Sequence, residues 1–264
     1  MLEKFPVKRN LRSDYIALFI GIAVLISILV ALRFSIVTDH IYSAMVKDPV
    51  REAPAGRIMV APADGTVLYV KRVQNGIIPP IIKNGVQVPV SDYLKSGTED
   101  VITDGFLIGI HMNLHGVHIN RAPISGSLIQ QTVFNGPHLD MSKIETSVIL
   151  AELIPGWLSL KKLLGLSPFV IDDSNNYVLN SARETLAFQD IRDRRTYVIR
   201  IADYHLGKVL TWVNDTQPIA TGDKLGMITW GSQTDVLIEN SPGLSIQAQA
   251  GDRVYGGESI IANY

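Results

Sequence analysis

Three of the six histidines fall within eight residues, "HMNLHGVH": His111, His115 and His118. Imidazole can ligate a metal or move a proton, and spacing helps to decide between the two. On a helix, intervals of four and three would set all three on one face, as zinc ligands require. The surroundings argue against a helix, because Gly109 and Gly116 interrupt the stretch and "FLIGI" leads into it. On a strand, His111 and His115 share a face and His118 points to the other. Met112 also stands where a zinc protease of the HExxH type carries its glutamate. Proton transfer is therefore the expected role, and no metal is expected. A second feature is a serine behind a glycine, Gly231-Ser232 in "MITWGSQTDV". A serine hydroxyl near neutral pH needs a base to take its proton, and the base needs a third group to orient it. His118 and Asp64, the latter in "PADG", suit those two roles. Each residue also has an ordinary reading: Gly-Ser is a common hairpin tip, and Asp before Gly commonly bonds its own backbone. Spacing alone does not bring the three together.

The elements that would have to position them are mostly strands. "RIMVAPADGTVLYVKRV", "GFLIGIHMNLHGVHINRAPISGSLIQQTV", "RTYVIRIADYHLGKVLTWV", "GDKLGMITWGSQTDVLIE" and "LSIQAQAGDRVYGGESIIANY" are rich in β-branched residues. Asp-Gly, Gly-Asp and Gly-Gly pairs punctuate them, the pattern of a mainly β domain built as a compact sandwich or barrel. Two stretches differ. Residues 15–32, "YIALFIGIAVLISILVAL", carry no charge and as a helix would span roughly 27 Å, close to a hydrocarbon core. A cleaved signal peptide would have a shorter apolar run and a small-residue site after it. The expectation is a retained transmembrane anchor within residues 1–45, followed by a Pro-rich connector and a domain over 46–264. The other stretch, about 138–177, contains "SVILAELIPGWLSLKKLLGL". It is expected to be an inserted helical segment, either packed on the core or lying in a membrane interface with Trp157 at headgroup depth.

Composition narrows the chemistry further. The formal net charge is −1 and no long basic run appears, so a nucleic-acid partner has no electrostatic support. Cysteine is absent, which excludes disulfides, thiolate metal sites and thiol catalysis.

Five stretches in order resemble the phosphatidylserine decarboxylase family, particularly its short bacterial form. They are "VKDPVREAP", "VAPADGTV", "HGVHINRAPISG", "GMITWGSQTDVLI" and "AGDRVYGGESIIA". The resemblance covers most of 46–137 and 178–264. It implies self-cleavage between Gly231 and Ser232, giving a large chain 1–231 and a small chain 232–264. Ser232 would become a covalent pyruvoyl group, activated by His118 and Asp64 at the matching positions. The pyruvoyl ketone would accept the serine amine of a phospholipid headgroup as a Schiff base, and loss of CO2 would yield phosphatidylethanolamine. His115 stands where longer members carry a histidine linked to this second stage, so either His115 or His118 is expected to return the proton. The resemblance also implies membrane lipid as partner and a site at the cytoplasmic face of the cell membrane; the sequence leaves a homo-oligomer open.

The chain departs from the family pattern in "NLHGVH", which lacks an aromatic-Asp pair, and in "RIADYHLGKV", which replaces an Ile-Ala-Gly and Arg-Arg pattern. "GDKLG" and "AGDRVYGGESIIA" also resemble turns of biotinyl- and lipoyl-type sandwiches in membrane-anchored adaptors. An adaptor would need a heptad hairpin, and a carrier would need a lysine at a turn tip. Neither is evident.

Overall fold

A computed structural model describes residues 11–264 except 82–84, 98–100, 114–115, 138–145, 149, 151–153, 155, 165, 167–168, 170–176, 203–208, 215 and 229–231. The chain divides into two compact units, one ending at Ser43 and the other Ala44–Tyr264. The first is the body of one helix, α1 (Leu11–Met45), which has no preferred apolar face. Its described side chains are exposed all round, Phe19 by 74 % and Ile16 by 61 %. The stretch 15–32 lies inside this helix, as expected. Among the described residues, however, no helix is long and apolar enough to cross a membrane. A transmembrane α1 is therefore not supported by the described residues.

The second unit is mainly β, as the turn-punctuated sequence indicates. Its strands are β1 (Ile58–Val60), β2 (Gly65–Val73), β3 (Ile77–Ile78), β4 (Val88–Pro89), β5 (Gly105–Met112), β6 (Ile119–Arg121), β7 (Gly126–Phe134) and β8 (Arg183–Gln189). They continue with β9 (Arg195–Ala202), β10 (Val209–Thr211), β11 (Pro218–Ile219), β12 (Lys224–Ile228), β13 (Ser232–Glu239), β14 (Ser245–Ile246), β15 (Arg253–Val254) and β16 (Ile260–Asn263). Short helices α2 (Val90–Leu94), α3 (Trp157–Leu163) and α4 (Tyr177–Asn180) complete the description.

Eight strands form one sheet in the order β11-β7-β8-β9-β13-β5-β2-β15, antiparallel throughout. It ends at β11 and β15 and so is open rather than a closed barrel. Two three-stranded sheets, β10-β12-β6 and β1-β16-β14, accompany it. Strand alternation sorts the side chains. Ile108, Ile110, Met112, Val198, Val236 and Ile238 enter one core shared with the small sheets. Leu107, Tyr197, Ile199, Ile201 and Leu237 enter a second core on the opposite face, with Val148 and Phe169 from the stretch 138–177, much of which lies outside the described residues. That contact is why β5, β9 and β13 are buried on both sides.

One close approach fixes a glycine. A Cβ on Gly109 would lie 2.3 Å from Tyr69 Cζ, because the Tyr69 ring lies across that position.

Candidate functional site

Strand β13 occupies the middle of the large sheet, with Ser232 opposite Met112 on β5 and Ala202 on β9. Alternation gives position 232 the same face as Thr234 and Val236, the face towards the small sheets. The Ser232 side chain, Gly231 and His115 lie outside the described residues. Strand β6 approaches the same face. Asn120 Nδ2 donates to Thr234 Oγ1 at 3.0 Å and contacts Met112 Sδ at 3.6 Å. His118 immediately precedes β6 and is fully buried. Sheet pairing thus brings His118 and the start of β13 to one interior, which spacing alone could not do.

His118 is held from both ends of its ring. Its Nδ1 lies 3.0 Å from the Ile228 carbonyl, and its Nε2 lies 3.1 Å from the Asn113 carbonyl. A neutral imidazole can donate to only one of them, whereas an imidazolium donates to both. Burial lowers the His118 pKa from its ordinary value, opposed by these two carbonyls and by the Asp64 charge. Ile228 ends β12, and only residues 229–231 separate it from Ser232. The imidazole is therefore tied to the backbone that leads directly into the Gly231-Ser232 bond.

Asp64 is buried, but its carboxylate is occupied elsewhere. Arg51 bonds both oxygens, at 2.7 Å for Nη2–Oδ2, and the Gly256 N–H donates to Oδ1 at 2.8 Å. The Asp64 hydrogen bond in turn raises the Arg51 pKa. Among the described residues no hydrogen bond joins Asp64 to His118. The orienting groups in contact with the ring are two carbonyls, and the carboxylate acts on it through its charge. Arg51 is a site residue that sequence reasoning missed, although it lies within the quoted "VKDPVREAP". Asn120, within "HGVHINRAPISG", was missed too, and among the described residues its buried Oδ1 has no partner.

His111 faces the other way, opposite Gln233 and Thr66. Burial and the His118 charge lower its pKa to about 4, so it stays neutral at pH 7. Among the described residues no group of side chains is arranged to hold a metal ion. The same face carries a buried carboxylate, Asp235. It accepts from Tyr69 at 2.6 Å, from Gln233 at 2.7 Å and from Tyr93. Burial pushes its pKa up to about 6 against those three hydrogen bonds.

These shifts predict a pH dependence of stability. Folded Asp235 holds its proton up to about pH 6, whereas an unfolded Asp releases it near 4. Between those values the native state binds more protons at this site, so its contribution to stability falls as pH rises. His111 titrates at about 4 when folded and near 6.5 when unfolded, so its contribution rises with pH over an overlapping window. The two oppose each other. Asp235→Asn should remove the falling part and leave melting temperature climbing more steeply from pH 4 to 6 than in the parent chain. Parallel melts would show it, and equal slopes would contradict the assignment.

A buried ion pair ties the sheets together beside this site. Arg200 on β9, opposite Thr234, pairs with Glu184 on β8, and neither side chain is more than 3 % exposed. Arg200 also donates to the Leu210 carbonyl at 3.1 Å and to Thr211 Oγ1 at 2.5 Å, both on β10. Glu184 further accepts from Gln131 at 2.7 Å. Burial lowers the Arg200 pKa to about 9, which leaves it charged at neutral pH. Strand β10 pairs with β12, so this clamp holds the strand that positions Ile228.

Residues 40–262 match the family described as phosphatidylserine decarboxylase. A protein of Methanocaldococcus jannaschii described as a candidate archaetidylserine decarboxylase proenzyme is 30% identical over 220 residues, covering 82% of this chain and 86% of that one. The phosphatidylserine decarboxylase proenzyme of Ehrlichia chaffeensis is 24% identical over 252 residues, 94% of this chain and 85% of its own. That of Nitrosomonas eutropha is 24% identical over 220 residues, 83% and 76% of the two chains.

Proposed function

Because this chain belongs to the phosphatidylserine decarboxylase family, a family of carboxy-lyases, we propose that it decarboxylates phosphatidylserine to phosphatidylethanolamine after cutting itself between Gly231 and Ser232. The observation that carries this reading is the seat of His118, bonded to the last residue of β12 and facing the interior that position 232 shares.

In the first stage His118 takes the proton of the Ser232 hydroxyl as its oxygen attacks the Gly231 carbonyl. The imidazolium so formed can donate to both the Ile228 and Asn113 carbonyls, which stabilise it without a contacting carboxylate. Asp64, fixed by Arg51, adds negative charge nearby. The C–N bond of the peptide breaks, leaving residue 231 as an ester on Ser232 Oγ and a free amine on residue 232. Loss of the Ser232 Cα proton then expels the 231 carboxylate. Water replaces the amine nitrogen, releasing ammonia and leaving a pyruvoyl group at the head of the small chain. The residues present would fit that group: 232 opens a central strand, and the interior its face shares holds the buried His118 and an Asn120 Oδ1 with no partner among the described residues. The ketone supplies an electrophile and electron sink for loss of CO2. His115 or His118 then returns a proton to the carbon that lost CO2.

The membrane enters through the substrate and through α1. The described apolar side chains over 18–32 are exposed and suit a lipid phase better than water, which supports association of the chain with a membrane. Cytoplasmic-face placement of the domain follows the family resemblance.

Intact mass under denaturing conditions tests the reading: two chains, the smaller blocked to Edman degradation, support it, and an active single chain overturns it. Mutation separates the histidines. His118→Ala should slow cutting by about 10²-fold or more, the usual weight of a general base. His115→Ala should cut normally and decarboxylate poorly. Loss of cutting in His115→Ala would move that residue to the first stage.

A further inference from the structure

Helix α3 presents its leucines to the outside. Leu160, Leu163 and Leu164, spaced three and four apart on one helical face, are exposed by 48 %, 82 % and 61 %. Its inward face carries Leu158, which packs on the second core and whose Cδ1 lies 3.2 Å from where a Gly251 Cβ would stand. The outward face of a surface helix is ordinarily polar. Here the polarity is inverted, and the apolar surface continues through Ile154 and Leu166, exposed by 41 % and 55 %. Trp157 sits at the edge of this face, half-buried, with the Lys161 ammonium 5.4 Å from its ring centre. From 154 to 166 the sequence contains two lysines, Lys161 and Lys162, and no acidic residue.

We propose that α3 is a docking surface for an anionic lipid bilayer, with its exposed leucines in the acyl boundary and Trp157 and Lys161 at headgroup level. An aromatic and basic rim around an apolar face is the arrangement that interfacial helices use. Charge chooses lipid over a second copy of the chain. A two-fold contact through this face would bring the Lys161 ammonium of each copy towards the other, whereas anionic headgroups complement it. The surface belongs to the β unit, so it would hold that unit against lipid independently of α1. Nothing in the proposal depends on which reaction the site performs.

The test uses the full chain, whose lack of cysteine allows single labels. Nitroxides are placed at Leu163→Cys and, as a control, at Ile191→Cys, a site 96 % exposed after β8. The proteins are reconstituted in phosphatidylcholine vesicles with and without phosphatidylglycerol. Collision rates are measured with oxygen, which enters lipid, and with a water-soluble nickel chelate, which does not. In vesicles containing phosphatidylglycerol, the label at 163 should collide several-fold less with nickel and more with oxygen than the label at 191. Lys161→Glu with Lys162→Glu should reverse most of that difference. Equal nickel access at the two sites would overturn docking. Equal shielding with and without phosphatidylglycerol would overturn the anionic preference. Dipolar broadening at 163 that survives dilution with lipid would overturn the proposal in favour of a second copy.

Discussion

Ser232→Ala is expected to give one uncut chain of 29.0 kDa with carboxy-lyase activity at background. The effect is the largest in the molecule because, in the proposed mechanism, two functions rest on one oxygen: it would be the nucleophile that opens the peptide bond, and its loss by elimination would open the way to the ketone. Alanine at the start of β13 keeps the backbone pairing with Met112 and Ala202, so the fold should be preserved. A melting temperature close to that of the uncut parent would establish this. Ser232→Cys makes the comparison sharper, since a thiol remains a nucleophile and should retain part of the cutting. A cut product from Ser232→Ala would refute the mechanism. Uncut but fully active protein would refute the reaction class.

Glu184→Ala is expected to destabilise the β unit by about 3–5 kcal/mol, the usual cost of leaving one member of a buried ion pair alone. Arg200 would keep its bonds to Leu210 and Thr211 but lose the charge that offsets its burial. Adding Arg200→Met should recover much of the loss, because an apolar pair of similar volume is often tolerated where a lone buried charge is not. Thermal or urea unfolding of the two single variants and the double gives the coupling directly. Cutting should slow in Glu184→Ala as well, since β10 and β12 carry the clamp's hold to Ile228. Additive losses would show that the pair contributes no coupling.

The strands were legible because their turns are marked by Asp-Gly and Gly-Gly pairs and their apolar residues are β-branched. Position 232 and His118 were legible through ordered motifs, although only pairing of β6 with β12, and of β13 with β5 and β9, puts them in one interior. The partner of Asp64 was hidden by distance in the chain: Arg51 reaches back from a connector that composition marks only as Pro-rich and charged. The carbonyls that seat His118 were illegible in principle, since every residue has one. Asp235 and Tyr69 resembled ordinary strand residues, and Tyr93 lies on α2, outside every stretch quoted as strand. Their meeting depends on register across β2 and β13 and on Gly109 leaving space for a ring.

The middle place of β13 has a consequence for the life history of the molecule. Under the proposed cut at 231–232, the small chain would supply β13 between β5 and β9, β15 beside β2, and β16 beside β1. Assembly must therefore precede scission, since only the continuous polypeptide delivers that strand as an intramolecular partner. After scission, unfolding separates two molecules, and renaturation becomes a second-order process that weakens on dilution. On the proposed function the precursor would thus be a single-use template for a heterodimer that cannot readily be reassembled.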